Sequence, residues 1–278
     1  LREVLIVGAG SGTDVALALL KGAQHIDAVE IDPRIQQIGK EMNPNHPYDD
    51  PRVTVHINDG RAFLSSTDKK YDLILFALPD SLTLVSGSSQ LRLESYLFTA
   101  ESLQKVREHL TDEGGFAMYN FYRQDWLVQR LSRTVGEAFG HTACVTDIQK
   151  QGFAAIGAAV QQGNQVCPPG RPELTDAATS PAPVSDDRPF LYLRDVTIPS
   201  NYLVVLSLVL VFAALMIWLT VRDRSGSGGA AREAWRSRDL FFMGAAFLLM
   251  ETKSITTFAL LFGTTWLVNS IVFGGILI

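Results

Sequence analysis

The chain has 278 residues, 47% of them hydrophobic, and a formal net charge of −5. That length can bury a sizeable core. The acidic balance gives no reason to expect a nucleic-acid partner.

Taken in chain order, Leu5–Val7 predicts a strand that stops at the turn Gly8-Ala9-Gly10-Ser11-Gly12, and Asp14–Lys21 predicts a helix. Ile26–Ile31 predicts a second strand, with Glu30 near its end, and Arg34–Glu41 a helix with Pro33 at its first turn. Val53–Ile57 reads as a third strand, followed by Asp59-Gly60 and a short helix over Arg61–Ser66. Tyr71–Phe76 is an apolar fourth strand. A helix is expected from Tyr96 to Leu110, stopped by Asp112-Glu113-Gly114-Gly115. Phe116–Asn120 predicts the fifth strand, Trp126–Phe139 a helix, and Cys144–Asp147 with Phe153–Val160 a closing pair. Repeated strand–helix units imply an α/β class with a mostly parallel sheet covered on both faces.

The opening turn carries chemistry. Glycines allow φ > 0 and close approach of a ligand, and the following helix presents unpaired N–H groups. An acid at the tip of the next strand can accept hydrogen bonds from a ribose. Gly8, Gly10, Gly12 and Glu30 fit that pattern for an adenosine-containing cofactor. A dinucleotide fingerprint needs a glycine where this chain has Thr13, so the spacing favours S-adenosylmethionine over NAD. Ligands of such sheets bind beyond the carboxyl ends of the strands. Gly10, Glu30, Asp59 and Asp80 all fall at predicted strand ends. Asp59 has a plainer use as the cap of the helix that follows it. Asp80 has one as a turn residue beside Pro79. Tyr119, Asn120, Tyr122 and Arg123 follow the fifth strand and are candidates for the same border. No metal site is expected.

Gln161–Asp187, rich in Pro, Gly, Ser and Asp, reads as a linker. Beyond it the composition changes. Leu203–Val221 is a 19-residue run without a charge, long enough to span a bilayer. Leu240–Phe262 is a second run, containing Glu251 and Lys253, and a third starts near Thr264. Those two charges are two apart, about 200° around a helix, so they are not expected to pair with each other. The expected division is residues 1–160 as the α/β domain, 161–200 as a linker and juxtamembrane segment, and 201–278 as membrane helices (203–221, 240–262, 264–278). The last run is still apolar at Ile278, and the first strand begins almost at Leu1. The sequence therefore reads as part of a longer, multi-pass protein of a bacterial inner or plasma membrane. Arg222, Arg224, Arg232, Arg236 and Arg238 place the loop between the first two runs in the cytoplasm and the α/β domain on the other side. That conflicts with the cytoplasmic supply of S-adenosylmethionine. Cys144 and Cys167 would be bonded outside and remain thiols inside.

These pieces together resemble the spermidine synthase family, in particular its bacterial members fused to membrane helices. The resemblance is carried by VLIVGAGSGTDVALAL, VEIDP, the run from Asp59 to Leu64, YDLILFALPDS, and LESYLFTAESLQKVREHLTDEGG. It implies a Rossmann-like methyltransferase fold in which Gly8, Gly10 and Gly12 face the cofactor, S-adenosylmethionine or its decarboxylated form. It further implies that Glu30 holds the ribose, and that Asp59 meets the adenine amino group with Gly60 allowing close approach. It implies a small amine as acceptor. The partners expected are that amine, the lipid bilayer and, as an option, a homo-oligomer. The family's fourth strand ends in a D-x-x-D pattern whose first aspartate is the acid/base. Here that position is Ala77, and Asp80 is the remaining candidate catalytic residue. Two functions follow from this departure. One is a membrane-anchored transferase. The other is a catalytically degenerate nucleoside-binding or regulatory domain of a polytopic, transporter-like protein.

Overall fold

The structure, a computed structural model, describes residues 1–78, 93–122, 124–149, 153–168, 181–194, 197, 200–224, 238–262 and 266–277. Strands and helices alternate through the first part: β1 Glu3–Val7, α1 Thr13–Leu20, β2 His25–Glu30, α2 Pro33–Met42, β3 Val53–Ile57, α3 Gly60–Ser66 and β4 Tyr71–Ala77. They continue as α4 Ala100–Glu108, β5 Leu110–Phe121, α5 Asp125–Phe139, β6 Cys144–Gln149 and β7 Phe153–Ala159. The seven strands form one sheet in the order β3-β2-β1-β4-β5-β7-β6. β1 to β5 run parallel, while β7 pairs antiparallel with both β5 and β6. The expected Rossmann-like, mostly parallel sheet is present.

β1 shows why both faces are covered. Leu5 and Val7 point into one core with Phe63, Leu103, Leu131 and Phe139. Val4 and Ile6 point into the other with Val15, Ala18 and Tyr48. Side chains alternate along a strand, so a strand apolar at every position must be buried on both sides. α1 serves one face, and α3, α4 and α5 the other.

One element departs from expectation. The Asp112-Glu113-Gly114-Gly115 run does not end a helix that reaches Leu110. α4 stops at Glu108, after a 3-10 turn over Leu93–Phe98, and β5 already pairs Leu110 with Tyr71. The register slips between Tyr71 and Leu73, where β5 carries extra residues. A side chain on Gly114 would press on the Tyr71 carbonyl, 2.9 Å away. Acid and glycine that look like a helix stop instead form an irregularity within a strand.

The segment expected to be a linker is fastened to the domain in two places. Cys167 is bonded to Cys144 of β6, with 5.3 Å between the Cα atoms. Further on, Val184 and Leu191 are buried in the larger core. The Ala100 N–H donates to the Val184 carbonyl (2.8 Å) and the Asp186 N–H to Glu101 Oε2 (2.9 Å). Arg130 of α5 donates to the carbonyls of Phe190, Leu191, Leu193 and Arg194 at 2.6–3.3 Å. Its guanidinium also lies 5.2 Å from the Trp126 ring. The low hydrophobicity of this segment signals a loop, but backbone carbonyls and two apolar anchors suffice to hold it.

The chain divides into two compact units, Leu1–Arg194 with Thr256–Ile271, and Asp195–Ile255 with Val272–Ile278. The later part is helical: α6 Ser200–Arg224, α7 Arg238–Phe262 and α8 Trp266–Leu277. Among the described residues one stretch, Tyr202–Leu219 of α6, is long and apolar enough to cross a membrane by length and composition. Glu251 and Lys253 lie within α7.

Candidate functional site

The turn after β1 is held by bonds from outside it. The Gly8 and Ala9 amides donate to the Val29 carbonyl (2.9 and 3.1 Å). The Tyr48 hydroxyl lies 2.9 Å from the carbonyls of both Ala9 and Gly10, and Asn43 Nδ2 donates to the Ser11 carbonyl at 2.8 Å. Burial, and then the charges of Glu30 and Asp14, push the Tyr48 phenol above its ordinary ionisation, so it stays a donor. Gly12 sits at φ 80°, in the left-handed region, directly before α1. Gly39 of α2 packs on the turn so closely that a side chain there would run into the Gly10 carbonyl. Tyr48, Asn43 and Gly39 carry no motif, and sequence reasoning missed them. Their common signal is a position one helix past the turn, where α2 must cross it.

A cavity of about 450 Å³ opens at this turn. It is lined by Gly8, Gly10, Ser11 and Asp14 after β1, Glu30, Asp32 and Ile35 at and after the end of β2, and Asp59 and Gly60 after β3. Ala77, Leu78 and Leu97 complete it. It therefore lies beyond the carboxyl ends of β1, β2 and β4, where the strand order reverses between β1 and β4. Leu78 stands at φ 46°, a strained value for a branched side chain, at the cavity edge.

Each sequence-predicted residue now has a place. Glu30 is buried and accepts from the Gly10 amide on Oε2 (2.9 Å) and from the Asp32 amide on Oε1 (3.0 Å). It thus joins the turn to the start of α2. Asp59 caps α3, its Oδ1 accepting from the amides of Arg61 and Ala62 at 2.9 and 3.0 Å, while also lining the cavity. At Gly60 the space of a side chain is taken by Val7 Cγ1, so packing alone requires glycine there. Gly12 lies behind the turn against Pro47 and Tyr48, not in the cavity lining. Asp80 and Arg123 fall outside the described residues. Tyr119 and Asn120 lie within β5 rather than after it, and Tyr122 is buried. Tyr119 donates to Asp14 Oδ2 at 2.6 Å. Asp14 is a cavity residue the sequence reading did not single out, though an acid in the first turn after a glycine-rich loop is a visible signal.

A second charged cluster lies elsewhere in the sheet. Asp27 of β2 is 3% exposed and accepts from Lys69 (2.7 Å), His56 (2.8 Å) and Tyr71 (2.9 Å). Burial alone would raise its carboxyl, but these donors together hold it below the ordinary value. None of these three donors is among the described residues that line the cavity, and the cluster reads as structural.

Sheet order, glycine turn and strand-end acid define an α/β domain of the Rossmann-like methyltransferase type. Residues 1–149 match the spermine/spermidine synthase domain, and the chain belongs to that family. It is 32% identical over 139 residues to the polyamine aminopropyltransferase of Serratia proteamaculans, a match covering 48% of this chain and 45% of that protein. The corresponding enzyme of Erwinia tasmaniensis is 31% identical over 154 residues, 52% of this chain and 51% of the other. The chain thus spans about half the length of these curated relatives. Among solved structures, human methyltransferase-like protein 13 in complex with SAH aligns with a TM-score of 0.49 and 23% identity, over 63% of this chain and 78% of that one. Spermidine synthase from Thermotoga maritima aligns with a TM-score of 0.46 and 17% identity, over 63% and 62%.

Proposed function

We propose that the α/β domain binds an adenosine sulfonium, S-adenosylmethionine or its decarboxylated form, and transfers an alkyl group from it to an amine, on a chain anchored in a membrane through α6. The observation that carries this reading is the charge of the cavity. Asp14, Glu30, Asp32 and Asp59 line it, with no Lys, Arg or His among the described lining residues. Such a site favours a cationic ligand, and Val7, Ile35, Leu78 and Leu97 offer apolar surface to a base. These acceptors and apolar walls therefore fit the group.

On this reading the glycine turn admits the nucleoside, Glu30 faces its ribose, and Asp59 lies toward the base. The sulfonium supplies an electrophilic carbon and a neutral thioether leaving group. What remains for the protein is to hold an amine in line with that carbon and to accept its proton. Ala77 brings no acceptor to the end of β4. Asp80, the second acid of the family's pattern, stays the proposed base. The membrane reading is supported by the Tyr202–Leu219 stretch, and the amine acceptor by the names of the relatives.

The test is calorimetric titration of the full chain in detergent with S-adenosylmethionine, decarboxylated S-adenosylmethionine and methylthioadenosine, followed by turnover with a diamine such as putrescine. Binding of at least one nucleoside and formation of an alkylated amine are expected. No binding by any of the three would sink the reading. Binding without turnover, unchanged by Ala77→Asp, would leave a nucleoside-binding module.

A further inference from the structure

Three of the four cavity carboxylates accept backbone amides and so owe their positions to the main chain. Glu30 takes the amides of Gly10 and Asp32 on its two oxygens. Asp32 caps α2 through the amides of Arg34 and Ile35, and Asp59 caps α3. Asp14 differs. Among the described residues its hydrogen-bond donor is a side chain, the Tyr119 hydroxyl at 2.6 Å.

The place of this pair gives it meaning. Tyr119 is the β5 residue directly opposite Ala77 of β4, and Ala77 and Asp14 line the same cavity. The pair therefore sits at the β4–β5 side of the site, while Glu30 ends β2 and Asp59 follows β3 on the other side. The Tyr119 ring is backed by Phe153 at 5.6 Å between ring centres. Burial first, then the hydrogen bond to Asp14 and its charge, push the Tyr119 phenol well above its ordinary ionisation. The phenol donates and does not act as a base, and one Asp14 oxygen is left to a ligand.

We propose that Asp14, positioned by Tyr119, receives a primary ammonium group of the ligand at the β4–β5 end of the cavity, supplying the negative charge that Ala77 lacks. The inference rests on the nucleoside reading above and deepens it. Asp14 is the ligand-contacting residue, and Tyr119 fixes its rotamer. A charge-assisted contact of this kind in a half-buried site is worth roughly tenfold or more in affinity.

Two neutral-thioether probes separate the effects. S-adenosyl-3-thiopropylamine carries an ammonium on its propyl arm, methylthioadenosine does not, and neither carries the sulfonium charge. In calorimetry of the full chain, Asp14→Asn is expected to weaken the first by about tenfold or more and the second by less than about twofold. Tyr119→Phe keeps the carboxylate but frees it, so a loss of about threefold is expected for the first probe alone. Equal losses for both probes, or no loss for either, would overturn the inference. Should Asp14→Asn fail to fold, the ratio of the two affinities in Tyr119→Phe decides by the same criterion. If the wild-type chain binds methylthioadenosine and S-adenosyl-3-thiopropylamine equally well, this inference fails and the nucleoside reading stands. If it binds neither, both fall.

Discussion

Arg61 and Asp186, 125 positions apart, meet in a two-pronged ion pair with both nitrogen–oxygen distances at 2.6 Å. The same guanidinium donates to the Tyr96 carbonyl and to Thr99 Oγ1, and Thr99 in turn donates to Asp186. Arg61 stands two residues after Asp59. The strap that ends the α/β domain is thereby locked to the helix that borders the cavity. Asp186→Ala leaves a half-buried guanidinium without its carboxylate, which costs about 2 kcal/mol of stability. Denaturant unfolding of the full chain in detergent measures this, and a change below about 0.5 kcal/mol would mean the strap is held by its apolar anchors alone.

Acid sensitivity follows from the same kind of contact. Asp186 and Asp27 are both held below the ordinary carboxyl value, burial opposing and their donors more than offsetting it. A folded-state value below the unfolded one gives stability that is complete above the unfolded value of 3.8 and is lost as pH falls through the folded value. Stability should therefore be flat near neutrality and drop below about pH 4. In Asp27→Asn the fall should be shallower, from a lower plateau, as read by unfolding midpoints across pH.

The fold was legible because its signals are periodic. The fully apolar strands, the glycine turn and the cap at Asp59 are each decided within a few residues of sequence. The Asp112–Gly115 run misled because turn residues also serve a strand irregularity, and the choice between the two is made by Tyr71, far away in sequence. The site was half legible for the same reason. Glu30 announces itself by its distance from the turn. Asp14 acquires its place through Tyr119, 105 positions on, and Gly39 through contact with the Gly10 carbonyl. Ala77 shows the converse: a missing side chain is plain in sequence, while what stands near the gap is visible once the strands are assembled.

On the proposed reading Glu30 serves both the turn and the ribose, and a conservative change separates the two. In Glu30→Gln one oxygen can still accept an amide, but the other position becomes a donor facing a donor. A stability loss of about 1 kcal/mol is expected from that mismatch. The affinity for methylthioadenosine should fall further, by about tenfold or more, because the ribose loses a charged acceptor. Calorimetry on the folded variant separates the two, and an unchanged affinity would remove Glu30 from the ligand.

Asp59 can be divided between cap and ligand in the same way. Asparagine caps a helix about as well as aspartate, so Asp59→Asn should leave stability within about 0.5 kcal/mol. Asp59→Ala removes the cap and should cost about 1 kcal/mol. If Asp59 also meets the base, both variants weaken methylthioadenosine by about threefold or more. A loss seen with alanine alone would assign the residue to α3 and not to the ligand.

The Cys144–Cys167 bond ties β6 to the start of the strap across a separation of 23 residues. Closing a loop of that size contributes roughly 3 kcal/mol, so Cys144→Ser should lower stability by about that amount under oxidising conditions. Reducing the wild-type chain should bring it to the same level. Such bonds persist outside the cytoplasm and are reduced within it, so the state of this pair in the cell reports the side of the membrane. In intact cells the two thiols should therefore resist alkylation until a reductant is added. Immediate labelling of both would place the domain in the cytoplasm, beside the supply of sulfonium nucleoside. Protection would mean that the ligand must reach the cavity from the other side, by export or by release from another protein.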